Sequence, residues 1–203
     1  SMKIFEDVVL GNEKYVDIIL NGPYALKLHS MGLVDEENKV NFYDGKIRVV
    51  DTNGDELHKY LPHEYQDYVA EHVEKWSYLK FPFLKKIGWK GFVDGMDSGV
   101  YCATPLSRLN ASDGMATPKA QEEFEKFYET LGSEKVNGRY KPVHNRLATQ
   151  WARLVELLYA EESMMEFATY PEINDPNVRS PVTETPTEGV GSVEAPRGTI
   201  THH

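Results

Sequence analysis

Arg197 is the residue of this sequence best placed to do chemistry. It stands in GVGSVEAPRGTITHH, residues 189–203, between Pro196 and Gly198. Pro196 fixes its own φ and biases Ala195 toward an extended backbone, so the approach to the arginine is stiff. Gly198 has no side chain and lets a bulky group lie against the backbone beside the guanidinium. A fixed planar cation of this kind suits an anionic or electron-rich ligand. The same residues fit a plainer alternative, an ordinary β-turn carrying a surface arginine. Gly189 and Gly191 also begin like a dinucleotide fingerprint. Glu194 takes the place of its third glycine and Pro196 falls where a helix should open, so no nucleotide site is expected there.

Other chemistry-bearing residues are less well arranged. His63 and Glu64 stand in the order HEYQD, which is not the HExxH zinc pattern. Asp94 to Gly99 looks like the start of a calcium loop, but its third position is Met96 and no bidentate glutamate follows in place. Ser98 is preceded by Asp97 and Met96, which rules out a nucleophile elbow. Cys102 lies in the apolar run VYCATPL and reads as a small packed thiol. Met164 and Met165 read as core filling.

Composition bounds the rest. The chain has 203 residues, 40% apolar and 27% charged, which suits one folded core and excludes a disordered chain. No apolar run approaches the roughly 18–20 residues that a membrane-spanning helix needs, so no membrane partner is expected. SMKIFEDVV carries no signal-peptide pattern. A single cysteine excludes an internal disulfide, suits a reducing cytoplasm, and cannot by itself hold a zinc ribbon, an iron–sulfur cluster or a four-thiolate nickel site. The net charge of −10 argues against nucleic-acid binding. Five lysines and no acid lie between Lys75 and Phe92, which leaves −15 on the remainder. There they mix with Trp76, Tyr78, Phe81, Phe83, Trp89 and Phe92, as a core segment with snorkelling lysines or a docking surface would.

The elements that must position Arg197 follow from periodicity. Asp44-Gly45 predicts a two-residue turn joining Val40–Val50 into a hairpin, with Phe42 facing Ile47 and Val40 facing Val49. Leu57 to Trp76 predicts a helix, with Pro62 in its first turn and Tyr65, Val69, Val73 and Trp76 at helical spacing. Thr117-Pro118 opens a second helix whose stripe of Ala120, Phe124, Phe127, Tyr128 and Leu131 faces a core, and Gly132 ends it. Pro142 to Ala168 predicts the longest helix, about 26 residues and ~39 Å, with Leu147, Trp151, Leu154, Leu158 and Met165 inward. The expected fold is α+β and helix-dominated. It divides into a small α/β region at 1–60 with the hairpin at 40–50, a helical body at 61–175, and an extended segment at 176–203 carrying Arg197.

Two stretches resemble a known family. EAPRG followed by paired histidines resembles the late active-site segment of nickel–iron hydrogenase large (alpha) subunits. GWKGFVDGMDSGVYCATPLSRLNASDGMATPKAQEEFEKFYETLG, residues 88–132, resembles the middle of that family's cytoplasmic, multimeric branch, the methyl-viologen-reducing and NAD-reducing types. The likeness runs from about Tyr24 to the end. It implies a large-subunit-like helical body and an oxidoreductase that cleaves dihydrogen heterolytically at a nickel–iron centre with carbonyl and cyanide on iron. By the same resemblance Arg197 overhangs the metals, Ala195 and Pro196 line the pocket, and His202 and His203 stand behind it. The implied partners are electron-transfer subunits and an iron–sulfur small subunit. The family's two paired-cysteine motifs are missing here. The chain is therefore expected to be an internal piece that binds no metal and is inactive alone, prone to self-association. The other reading is a metal-free helical binding module that docks through residues 75–92.

Overall fold

The computed structural model describes residues 2–179, 181, 183–185 and 187–203. In chain order its elements are helix α1 (Met2–Phe5), a π-helical turn, helix α2 (Glu13–Asn21), strands β1 (His29–Val34), β2 (Lys46–Val50) and β3 (Glu56–Tyr60), the one-turn helix α3 (Tyr65–Tyr68), strands β4 (Val69–Val73), β5 (Lys80–Leu84) and β6 (Tyr101–Cys102), helices α4 (Pro105–Ala111) and α5 (Pro118–Thr130), strands β7 (Lys135–Val136) and β8 (Arg139–Tyr140), helix α6 (Thr149–Phe167), and strands β9 (Gly191–Ala195) and β10 (Gly198–His202). The central sheet runs β3-β2-β1-β6, antiparallel except for the β1–β6 pair, and β4–β5, β7–β8 and β9–β10 are separate two-stranded ribbons. Among the described residues no helix is long and apolar enough to cross a membrane.

β1 is the middle of this arrangement. All six of its residues are buried, because one face carries α4 and the other carries a second apolar layer. A strand covered on both faces shows no alternation, so its sequence carries no period-2 signal. On one side Met31 and Leu33 pack with Ile47, Val49, Tyr60 and Leu84. On the other, Gly32 brings α4 so close that a Cβ there would lie 2.9 Å from the Arg108 Cα. A larger core lies beyond α4, where Leu106 and Leu109 meet Phe124, Phe127 and Tyr128 of α5 and Trp151, Ala152 and Val155 of α6. Phe127 meets Tyr128 and Trp151 edge to face, at 5.0 and 5.2 Å.

Three expectations need correction. The fold is mixed α/β, with ten strands in four sheets among the described residues, and not the helix-dominated α+β body expected. β2 pairs with β1, Ile47 opposite Leu33, and not with residues 40–44. The Asn41 side chain accepts from the amides of Tyr43 and Asp44 and coils that segment into a turn. Leu57–Trp76 is not a helix: it runs through β3, a 3₁₀ turn at Pro62–Glu64, α3 and β4. Tyr65 falls in α3, and the 69/73 spacing is equally that of a strand, in which Val69 pairs with Leu84 and Val73 with Lys80 of β5.

The later helices follow the sequence more closely. α5 begins at Pro118 as expected, yet Thr117 makes no cap. The Glu162 carboxylate of α6 caps it instead, accepting from the amides of Lys119 and Ala120 at 3.2 and 3.0 Å. α6 spans 19 residues, because residues 142–144 take no regular structure, Asn145 is extended and Arg146–Ala148 is a 3₁₀ turn. Met164 and Met165 do not fill a core; they are 65% and 73% exposed.

Two histidines tie the sheet to its surroundings. His29 Nε2 donates to the Met96 carbonyl at 3.1 Å and His144 Nε2 to the Thr52 carbonyl at 2.9 Å. Burial pushes both imidazoles below the ordinary value of 6.5, and the carbonyls only partly offset it. A histidine so depressed binds its proton more weakly folded than unfolded, so its contribution is complete above pH 6.5 and is lost as the pH falls through the folded value. The melting temperature is expected to fall between about pH 7 and pH 5, and His144→Gln should flatten that fall, as scanning calorimetry across this range will show.

Candidate functional site

The site is built on a cation that the sequence does not advertise. Every residue of α4 is buried, Arg108 included, and its guanidinium ties α4 to two further elements, α6 and β9. Its Nε and one terminal nitrogen donate to the two oxygens of Glu156 on α6, each at 2.6 Å. The other terminal nitrogen donates to Glu194 Oε2 at 3.0 Å and to the Ala195 carbonyl at 2.8 Å, both on β9. Glu194 also accepts from the Leu33 amide of β1 at 2.7 Å and from the Thr199 hydroxyl of β10. Burial lifts both carboxyls above the ordinary range against the pull of Arg108, while the guanidinium is held firmly protonated by the two acids.

This network fixes the hairpin β9–β10, in which Glu194 pairs with Thr199 and Ala195 with Gly198. Pro196 and Arg197 form its tip, both exposed. Gly198 is needed there because a Cβ would stand 3.0 Å from the Ala103 carbonyl, so the close neighbour is backbone. Arg197 forms one wall of a cleft of about 340 Å³ whose other walls include Phe81, Trp89, Phe92 and Thr104. Ala195 and Pro196 face a second cleft of about 400 Å³, with Phe42, Leu154 and Leu157 above the Arg108–Glu156 pair. α6 thus reaches the hairpin through Glu156 and this apolar cleft, whereas Arg197 turns to the aromatic side.

The histidines lie elsewhere. β10 advances about 16 Å over the five residues from Arg197 to His202. His202 pairs with Gly191 and is exposed, while the His203 ring accepts from or donates to the Tyr65 hydroxyl at 2.7 Å. The structure therefore gathers Ala195, Pro196 and Arg197 at one end of the hairpin and leaves His202 and His203 at the other. Cys102 is half-buried, and its sulfur accepts from Arg146 at 2.7 Å. Sequence reasoning passed over Arg108, Glu156 and Glu194. The available signal was a charge at an inward position of each element: Arg108 within PLSRLNA, and Glu156 next to Val155 on the face shared with Trp151 and Ala152.

Comparison with known proteins bears on this geometry. All 203 residues are 44% identical to 40% of an F420-non-reducing hydrogenase iron-sulfur subunit of Archaeoglobus profundus. A 36% identity covers 100% of the chain and 38% of the NAD-reducing hydrogenase HoxS subunit beta of Cupriavidus necator. The solved NAD+-reducing [NiFe]-hydrogenase in its H2-reduced state contains a chain that superposes on 99% of this one with a TM-score of 0.79 and 28% identity, across 41% of that chain. The chain is similar to hydrogenase subunits. It spans about two-fifths of the length of each of these relatives. No protein-family model matches it.

These findings correct the reading drawn from EAPRG. The assignment to the large subunit, with the catalytic role that came with it, is overturned by the whole-length relative whose name is that of an iron–sulfur subunit. The finer expectation of a separate iron–sulfur small subunit as partner loses its basis with that assignment. The residues of this chain do not fit a cluster either. Cys102 is the one cysteine of the sequence, it faces Arg146, and among the described residues no group of three His, Cys, Asp or Glu could hold a metal ion. What the site holds in place is a cationic turn.

Glu156→Ala removes half of the fork and strands a buried guanidinium, which should cost about 3–5 kcal/mol of stability in denaturant unfolding. A loss under about 1 kcal/mol would show that Arg108 is carried by other contacts.

Proposed function

We propose that the chain is a segment of one subunit in a multi-subunit hydrogenase and that its contribution is geometric: it presents the turn Ala195-Pro196-Arg197 to the redox machinery of that assembly. The similarity to hydrogenase subunits along the whole chain carries this reading. The Arg108 network gives it a mechanism, because a tip held from three elements keeps Arg197 at a fixed place and angle. The iron–sulfur and nickel–iron groups named for the relatives are held by residues outside these 203, and the chemistry they supply is electron transfer and dihydrogen activation. Arg197 supplies a permanent positive charge and a planar set of donors, suited to an anionic ligand or carboxylate brought to the cleft. Ala195 and Pro196 shape the approach, and His202 and His203 close the far end of the hairpin. The partners are other hydrogenase subunits. The exposed faces of Trp76 and Tyr78, 70% and 95% open, with the lysines around them, suit an acidic partner surface in a cytoplasmic complex.

In the assembled hydrogenase, Arg197→Lys is expected to lower dihydrogen turnover roughly tenfold or more with the assembly itself unchanged, since lysine keeps the charge and loses the fork. Turnover near that of the unaltered enzyme would end the proposal. The purified 203-residue chain should contain no stoichiometric iron or nickel by mass spectrometry of its metals; one equivalent of either would mean that ligands were misjudged.

A further inference from the structure

Beneath β10 lies a third cleft, of about 520 Å³, that the preceding proposal does not use. Its floor is the central sheet, where Met31 and Ile47 line it, and its walls are β10 on one side and the β4–β5 ribbon on the other. Two tyrosines stand at opposite edges of that floor, Tyr60 on β3 and Tyr101 on β6. Tyr60 is only 2% exposed, and its ring stacks on Tyr68 at 4.2 Å. Neither hydroxyl has a hydrogen-bond partner among the described residues, although both rings line the cleft. The other polar groups of the walls are engaged: Thr199 donates to Glu194, Thr201 shares a hydrogen bond with Ser192, Lys85 donates to the Gln66 carbonyl, and Tyr65 meets His203. Both hydroxyl oxygens keep some solvent exposure, so they open onto the cleft and are free to donate to a molecule that enters it.

We propose that this cleft binds a neutral molecule with an apolar body and a carbonyl oxygen, which accepts hydrogen bonds from Tyr60 and Tyr101. The apolar floor and the aromatic walls suit the body, and a volume of 520 Å³ lies within the range of small-molecule sites. Neutrality follows from the charges in reach. Glu71 of the wall pairs with Lys80 at 3.0 Å, and the one lysine of the lining is tied to the Gln66 carbonyl, so neither charged side chain is left free to pair with an ionic ligand. The phenols themselves remain donors. Burial, with Glu71 adding to it, pushes Tyr101 up to about 12, and burial raises Tyr60 further still. The inference rests on this cleft alone and holds or fails apart from the hydrogenase reading.

Three probes of matched shape test it: acetophenone, α-methylstyrene, which replaces the oxygen by CH2, and benzoate. Binding is read from the tyrosine-ring NMR signals of the full chain. Acetophenone is expected to shift the signals of Tyr60 and Tyr101 and to bind about tenfold or more tightly than the other two. Tyr60→Phe and Tyr101→Phe should each weaken acetophenone roughly 2- to 12-fold while the melting temperature stays at that of the parent chain, because the lost hydroxyls touch no protein acceptor. Equal binding of all three probes, no binding of acetophenone, or affinities untouched by the two variants would overturn the proposal. So would a lowered melting temperature in the phenylalanine variants, which would show the hydroxyls engaged by the protein itself.

Discussion

A guanidinium taken out of water is tolerated only when its donors are met, and the placement of Arg108 meets them from three directions at once. Two of the acceptors come from Glu156 on α6, and the others are the Glu194 carboxylate and the Ala195 carbonyl on β9. Lysine could not substitute, because a single ammonium cannot span a helix and a strand with parallel bonds. The penalty for leaving such a charge half-paired, about 3–5 kcal/mol, is a sizeable fraction of the roughly 5–15 kcal/mol by which domains are stable. The positions of α4, α6 and the β9–β10 hairpin are for that reason coupled. Glu194 extends the coupling to β1 through the Leu33 amide, a donor left free because β6 pairs with only His29 and Ser30. One buried cation and two acids thereby join the two apolar cores, which otherwise meet across the bare backbone of Gly32.

The hairpin so held is a partition. Because its strands are extended, successive residues of β10 point to opposite sides, and Thr199, Thr201 and His203 all face the Tyr60–Tyr101 cleft. At the tip the chain turns past Ala103, and Arg197 joins Phe81, Trp89 and Phe92. Ala195 and Pro196 face the remaining cleft, above Arg108. Three concave surfaces therefore share one ribbon, and the Arg197 and Tyr60–Tyr101 clefts also share Pro82, Tyr101, Ala103 and Thr199.

How far the sequence foretold this depends on what kind of burial each segment has. α5 was legible because one face is buried and the other is wet, so Ala120, Phe124, Phe127 and Tyr128 recur at helical spacing between charges. β1 was not, since both faces are covered and HSMGLV has no alternation to read. The segment after Leu57 misled because residues four apart lie on one face of a strand as well as of a helix; pairing with β5, a contact at a distance, decided between them. The Asp44-Gly45 signal misled in the same way: Gly45 does take a positive φ of 124°, but the strand that β2 meets lies before it, at His29–Val34. Of the site, the stiffness around Arg197 was visible in Pro196 and Gly198. Its anchor was not, because an arginine, a glutamate on a helix and a glutamate beside a turn, spread over 86 residues, each look like ordinary surface charge until the fold brings them together.

That anchor also bears on what a chain with one cysteine can bring to a hydrogenase. Metal centres demand ligands, and the thiolates for clusters or nickel are not among these residues. Centres also demand surroundings of fixed polarity, and these are costly to build because each charge must be desolvated and yet held in place. Here that cost falls on Arg108, Glu156 and Glu194, all deep in the fold, and it leaves Arg197 at the tip with no ion-pair partner among the described residues. A cation neutralised by its own chain would have little field to offer a neighbour. One aimed outward from a braced turn acts on whatever the assembly places in the aromatic cleft, and its force there depends on how completely that partner excludes water.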